Sequence, residues 1–118
     1  MEPGTYQGGC HCGKVRYEVT TDLDKVMSCN CSICSKLGVI LSFVPENQFK
    51  LLSGESDLTD YQFNTMNVHH LFCRVCGIES FMRGAMPDGT KVVGLNVRCL
   101  DGVDLAALQP IPFDGRSL

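Results

Sequence analysis

No tryptophan occurs in the chain, and its other large rings are limited to six Phe and three Tyr. A chain of 118 residues buries roughly two-thirds of its unfolded surface, so its core is real but thin and has no large aromatic anchors. Long apolar runs are also missing: none approaches the roughly 18 residues that a membrane-spanning helix requires. So is an excess of basic charge. A net charge of −3 and a pI near 5.5 leave no basic face for sequence-independent nucleic-acid binding. Met1 to Gly9 contains neither a basic stretch nor an apolar one behind it, so no export signal is expected and the expected location is the cytoplasm. Apolar residues make up 44% and charged residues 19%, which is ordinary globular usage and argues against global disorder. The length fits one domain over residues 1–118.

Cysteine, by contrast, is abundant. Eight thiols stand at positions 10, 12, 29, 31, 34, 73, 76 and 99, and a reducing compartment keeps such thiols out of structural disulfides. Their spacing points to metal. Cys10-His11-Cys12 and Cys29-Asn30-Cys31 are C-x-C pairs, while Cys31-Ser32-Ile33-Cys34 and Cys73-Arg74-Val75-Cys76 are C-x-x-C pairs. Neighbours two apart rarely meet disulfide geometry, whereas two close thiolates on a turn supply one edge of a zinc tetrahedron. Glycine follows at Gly13 and Gly77, where a left-handed backbone would aim amides at the sulfurs. Cys10, Cys12, Cys73 and Cys76 therefore pair as one closed, structural zinc site. Such a site contributes on the order of 10–16 kcal/mol to the folding of small domains.

Cys29, Cys31 and Cys34 then remain as three thiols with one vacancy. Closed four-ligand sites are structural; an open position admits water or substrate. Either no second metal binds there, or one does and Cys99 decides between two outcomes. Folded back as a fourth ligand it closes the second site; otherwise it is a small buried hydrophobe. The stretch Ser32–Leu37, stopped by Gly38, reads as one or two helical turns, and Lys36 on it is the nearest cation in sequence.

The rest reads as mainly β. Short apolar segments separated by Gly, Pro, Asn and Asp place strands at Thr5–Gly8, Lys14–Thr20, Val26–Cys29, Val39–Val44, Phe49–Ser53, Leu58–Phe63, Val68–Phe72, Ser80–Arg83 and Val92–Val97. Short helical turns are expected at Pro45–Gln48 and at Asp104–Leu108, the latter capped by Asp104 and cut off by Pro110 and Pro112. On this map the ligand pairs fall at strand ends and turns. His69 and His70 face opposite sides of one strand; one of them can donate to a thiolate or carry a proton, but a satisfied structural histidine is the expected role. His11 reads as an exposed residue beside the metal, Arg98 as a candidate carboxylate binder, and Phe43, Phe63 and Phe72 as core.

Four stretches carry a resemblance: Gly8-Gly9-Cys10-His11-Cys12-Gly13-Lys14-Val15-Arg16-Tyr17, Cys29 to Gly38, His70-Leu71-Phe72-Cys73-Arg74-Val75-Cys76-Gly77, and Asn96-Val97-Arg98-Cys99-Leu100-Asp101. In this order they resemble the glutathione-dependent formaldehyde-activating enzymes, the GFA family. The resemblance implies a Mss4-like zinc-containing β-sandwich or folded sheet with one or two short helical turns. It also implies two zinc ions per chain, a structural one on Cys10, Cys12, Cys73 and Cys76 and a catalytic one on Cys29, Cys31 and Cys34. The activity it implies is carbon–sulfur lyase chemistry run in the addition direction, with a glutathione-like thiol and formaldehyde or a related small aldehyde as partners. The competing class is a non-catalytic zinc-stabilised protein-binding module on the same scaffold, and an open three-cysteine site favours the enzyme.

Overall fold

A computed structural model describes residues 3–63 and 65–117. Strands β1 (Gly4–Gly9), β2 (Arg16–Thr21) and β5 (Phe49–Ser53) form a three-stranded antiparallel sheet in the order β1-β2-β5. A seven-stranded sheet contains β3 (Met27–Cys29), β4 (Leu41–Pro45), β6 (Leu58–Tyr61), β7 (His69–Cys73), β8 (Phe81–Ala85), β9 (Lys91–Asn96) and β10 (Ile111–Phe113). Its order is β10-β3-β4-β9-β8-β7-β6. The mainly β architecture expected from the alternating segments is therefore the one present, as are the short helical turns. Helix α1 (Ser32–Leu37) ends on Gly38. Glu46–Gln48 and Leu105–Ala107 are single 3₁₀ turns, the second capped by the Asp104 carboxylate at the Ala106 N–H.

The core lies between the two sheets. Tyr17 and Val19 from the smaller sheet, with Val15 just ahead of β2, meet Phe81, Val93 and Leu95 from the larger one, all of them buried. Tyr17, Phe49 and Phe81 form a ring cluster with centroids 4.8–5.6 Å apart, which uses a third of the chain's Phe and Tyr residues at one point. The Tyr17 hydroxyl keeps a buried partner by donating to the Ser80 carbonyl at 2.9 Å.

Among the described residues, β10 is the one strand that the segment pattern does not predict. Pro110 and Pro112 read as breakers, yet Ile111–Phe113 pairs in parallel with β3 at the edge of the sheet. The ladder uses the Ile111 N–H to the Val26 carbonyl and the Asn30 N–H to the Phe113 carbonyl, so Pro112 is asked for no donor there. Edge strands tolerate proline on that condition.

The opposite face of the large sheet carries the features relevant to function. Cross-strand partners share a face, and the pairs Tyr61↔His70, His70↔Met82, Met82↔Gly94 and Phe43↔Gly94 run as one row across five strands. Helix α1 lies on this face, with Cys34 packed against Val39, Leu41 and Met82. Phe43, expected in the core, instead stands on this face 46% exposed. Phe63 and Phe72 are only partly buried.

Candidate metal centres

All eight cysteines are free thiols. Seven of them converge in two groups whose sulfurs lie within 4.8 Å of one another: Cys10, Cys12, Cys73 and Cys76, and separately Cys29, Cys31 and Cys34. The sequence partition by spacing is the partition that the fold produces.

In the first group Cys10 follows β1 and Cys73 ends β7, so a single cluster ties the small sheet to the large one. The Sγ atoms of Cys12 and Cys73, 61 positions apart in sequence, are 3.6 Å apart, as are those of Cys10 and Cys12. Four sulfurs at the usual zinc distance of about 2.3 Å would sit about 3.8 Å from each other along tetrahedral edges. The all-thiolate donor set and this spacing fit zinc. Backbone amides support the sulfurs: the Val15 N–H donates to Cys10 Sγ at 3.3 Å and the Val75 N–H to Cys73 Sγ at 3.4 Å. Gly13 and Gly77 have the expected left-handed backbone, φ 84° and 80°.

Without a metal these thiols share protons unevenly. Burial opposes the Cys76 thiolate, but the Cys12 and Ile78 amides and the neighbouring thiols outweigh it and draw Cys76 down to about 6. At Cys12 the Lys14 amide favours the thiolate, yet burial and the thiols of Cys10, Cys73 and Cys76 push it up to about 11. A cation replaces these shared protons, since ligand thiols must be deprotonated to bind it.

The second group is compact in sequence and sits at the start of α1. Cys29 ends β3, Cys31 caps the helix by accepting from the Cys34 N–H at 3.5 Å, and Cys29 Sγ accepts from the Cys31 N–H at 3.4 Å. Cys34 is buried, and burial together with the adjacent thiols raises its pKa. Three soft donors at this spacing also suit zinc, with one corner not supplied by this group.

Cys99 belongs to neither group among the described residues. Burial holds its thiol up at about 11, and the charges it feels next are those of Cys10 and Cys76, so it lies towards the four-cysteine side. The closed second site is not formed by Cys99 in this structure.

Two features of the second group have no counterpart in the sequence reading. Asn30, inside the C-x-C, is the anchor for the segment after β10. Its Nδ2 donates to Asp114 Oδ1 at 2.9 Å, and its Oδ1 accepts from the Arg116 N–H at 2.9 Å. Gly115 is thereby laid over the cluster so closely that a Cβ there would stand 2.5 Å from Cys29 Sγ. An Asn between ligand cysteines was the available signal; nothing local marked Gly115.

The other candidates are distributed more widely. His11 is exposed and outside both groups. His69 and His70 do face opposite ways: His69 Nδ1 is 2.7 Å from Asp60 Oδ2, while His70 is buried, its Nδ1 3.3 Å from Glu79 Oε2 and its ring stacked on Phe63. Arg98 donates from Nε to the Gly38 carbonyl at 3.0 Å, which braces the end of α1. Lys36 lines a shallow cleft with Ser32, Ile33, Tyr61 and Phe63 beside the helix.

Two packed β-sheets joined by a four-cysteine cluster, with a three-cysteine cluster at a helix start, define a β protein with two cysteine groups able to hold metal ions. A family model described as glutathione-dependent formaldehyde-activating enzyme matches residues 5–111, and the chain belongs to that family. A Rhodobacter sphaeroides protein of known crystal structure is similar at 33% identity and a TM-score of 0.79, covering 90% of this chain and 97% of its own.

Proposed function

We propose that the chain is a zinc-dependent carbon–sulfur lyase-type enzyme that adds a thiol to formaldehyde or a related small aldehyde. In this reading residues 1–118 act as one zinc domain. Cys10, Cys12, Cys73 and Cys76 hold a structural zinc, and Cys29, Cys31 and Cys34 a catalytic one, two per chain. The observation that carries it is the contrast in donor count: four converging sulfurs in one group and three in the other, with the eighth thiol on the far side. Family membership supplies the reaction class. The eight free thiols suit a reducing compartment such as the cytoplasm.

Zinc held by three thiolates would lower the pKa of a fourth, incoming thiol and so supply a nucleophile at neutral pH. The chain's own residues do the rest. The N–H groups of Cys31 and Cys34 spread the negative charge of the sulfurs they touch. Met27, Ile33 and Val68 pack on the buried side of the cluster, around Cys34, while Cys29 and Cys31 stay partly exposed. Asn30 fixes the C-x-C loop, and Gly115 closes over Cys29 without adding bulk. In the net reaction the S–H bond breaks, the C–S bond forms and the carbonyl oxygen takes the proton.

Two measurements test this. Protein purified without chelator should contain about two zinc per chain, and Cys29→Ser about one. NMR exchange spectroscopy of formaldehyde with a thiol should then show faster adduct formation with wild type than with Cys29→Ser. One zinc in both proteins, with no acceleration, would leave a zinc-stabilised binding module as the reading.

A further inference from the structure

An apolar groove opens directly beside the three-cysteine cluster. Its volume is about 340 Å³, at the small end of ligand clefts. The link to the cluster is structural. Met27 shares a strand face with Cys29, two positions on. Phe113 is the register partner of Cys29 on the neighbouring strand. Met82 and Val68 pack against the buried Cys34 group and also line the groove. The floor is Gly94, where a Cβ would meet Met82 Cγ at 2.7 Å and Phe43 Cε1 at 3.0 Å. A glycine there keeps the trough open between two side chains that would otherwise be pushed apart. The walls remain uncovered, with Phe43 46%, Phe113 43% and Met86 52% exposed.

Charge is scarce along it. Arg83 is the one charged residue on the groove among the described residues. Its guanidinium is turned to the other face of the sheet, 5.2 and 5.4 Å from the centroids of Phe49 and Phe81. A tripeptide thiol with two carboxylates and an ammonium would lose hydration here and gain no partner for those charges. An aryl or alkyl substituent would lose nothing.

We infer that the thiol taken by this protein carries an apolar group of about benzyl size, which lies in the groove between Phe43, Met82 and Phe113 while its sulfur reaches the three-cysteine cluster. This rests on the enzymatic reading above and narrows its substrate to apolar thiols. The reaction is unchanged in its balance: the thiol loses its proton, the C–S bond to formaldehyde forms, and the proton ends on oxygen, with no oxidant or reductant needed.

The test uses zinc-loaded protein with methionine methyls labelled for NMR. Benzyl methyl sulfide, which has no free thiol, reports on the groove alone. It should shift the methyls of Met27, Met82 and Met86 and leave Met66, which is not part of the groove, in place. With formaldehyde, phenylmethanethiol should show a kcat/KM about 100-fold above glutathione, the difference a buried ring provides, and the gain should appear in KM. Phe43→Glu, at a half-exposed position where folding is not at stake, should abolish the methyl shifts and raise that KM at least about tenfold. Glutathione turned over faster, with no methyl shifts, overturns the inference and leaves the enzymatic reading intact. Neither thiol accelerated removes both. A dimer in sedimentation that Phe43→Glu dissociates would assign the groove to a second copy of the chain and overturn the inference as well.

Discussion

The two cysteine clusters are built from the same donor atom by opposite strategies. In the first, two pairs arrive from different sheets, and Cys12 and Cys73 touch across 61 positions. In the second, all three thiols come from one turn between Cys29 and Cys34, and the rest of the fold only packs against them. A metal in the first cluster closes a long loop and restrains the unfolded chain. A metal in the second restrains a segment that is already short. The first cluster is therefore expected to hold the fold, and the second is free to serve chemistry.

The largest effect tests that division directly. Cys73 is fully buried at the end of β7, and Cys73→Ser should leave most of the chain unfolded at room temperature, since a structural zinc can contribute on the order of 10–16 kcal/mol. Cys31→Ser, on the partly exposed turn, should cost one zinc and the activity while the near-UV spectrum and a cooperative thermal transition survive. Equal loss of structure in the two variants would erase the distinction.

That division was largely legible in the sequence because ligand spacing is local. The C-x-C and C-x-x-C pairs, with glycine after Cys12 and Cys76, carry their geometry in a few residues, and the fold brings together the pairs that spacing grouped. Strand Phe49–Ser53 matches its expected limits, and the other eight expected strands shift by one to a few residues at their ends. The misses share one physical cause. Val39 to Val44 is apolar except for Ser42 and shows no regular alternation, so which residues face the core depends on partner register, and pairing with Gly94 puts Phe43 outside. Likewise Pro112 breaks a strand by its local rule and is accepted only because β10 is an edge with a parallel neighbour. Glu79, buried against His70, and Gly115, laid on Cys29, are set by contacts that no local pattern announces.

A smaller effect sharpens the comparison from the side of the second cluster. Gly115 lies on Cys29 without the left-handed backbone seen at Gly13 and Gly77, so a side chain there meets a steric obstacle and not a conformational one. Gly115→Val should push the segment off Cys29 and weaken metal retention at the three-cysteine cluster by about 10- to 100-fold, the scale seen when groups around a metal's ligands are disturbed. Chelator competition should then resolve two release steps, an early one shifted and a late one, from the four-cysteine cluster, unchanged. A shift in both would mean that the clusters are coupled through the fold.

The smallest effect concerns what holds that segment down. The Ser117 hydroxyl and then the Asn30 amide donate to the Asp114 carboxylate and keep its pKa below the ordinary carboxylate range. A lowered folded pKa means that the contribution is fully present above the unfolded value and is lost only as pH falls through the lower folded one. Between about pH 5 and 8 the latch should therefore be constant, and the Asn30 side-chain nitrogen shift should stay flat across that range. Asp114→Asn should move that shift by removing the charge from the bond. It should speed hydrogen exchange at the Arg116 amide and leave global stability nearly unchanged, as befits an exposed site. A pH-dependent Asn30 shift within that window in wild type would show that a group other than Asp114 governs the segment, and Gly115 would then need a different anchor over Cys29.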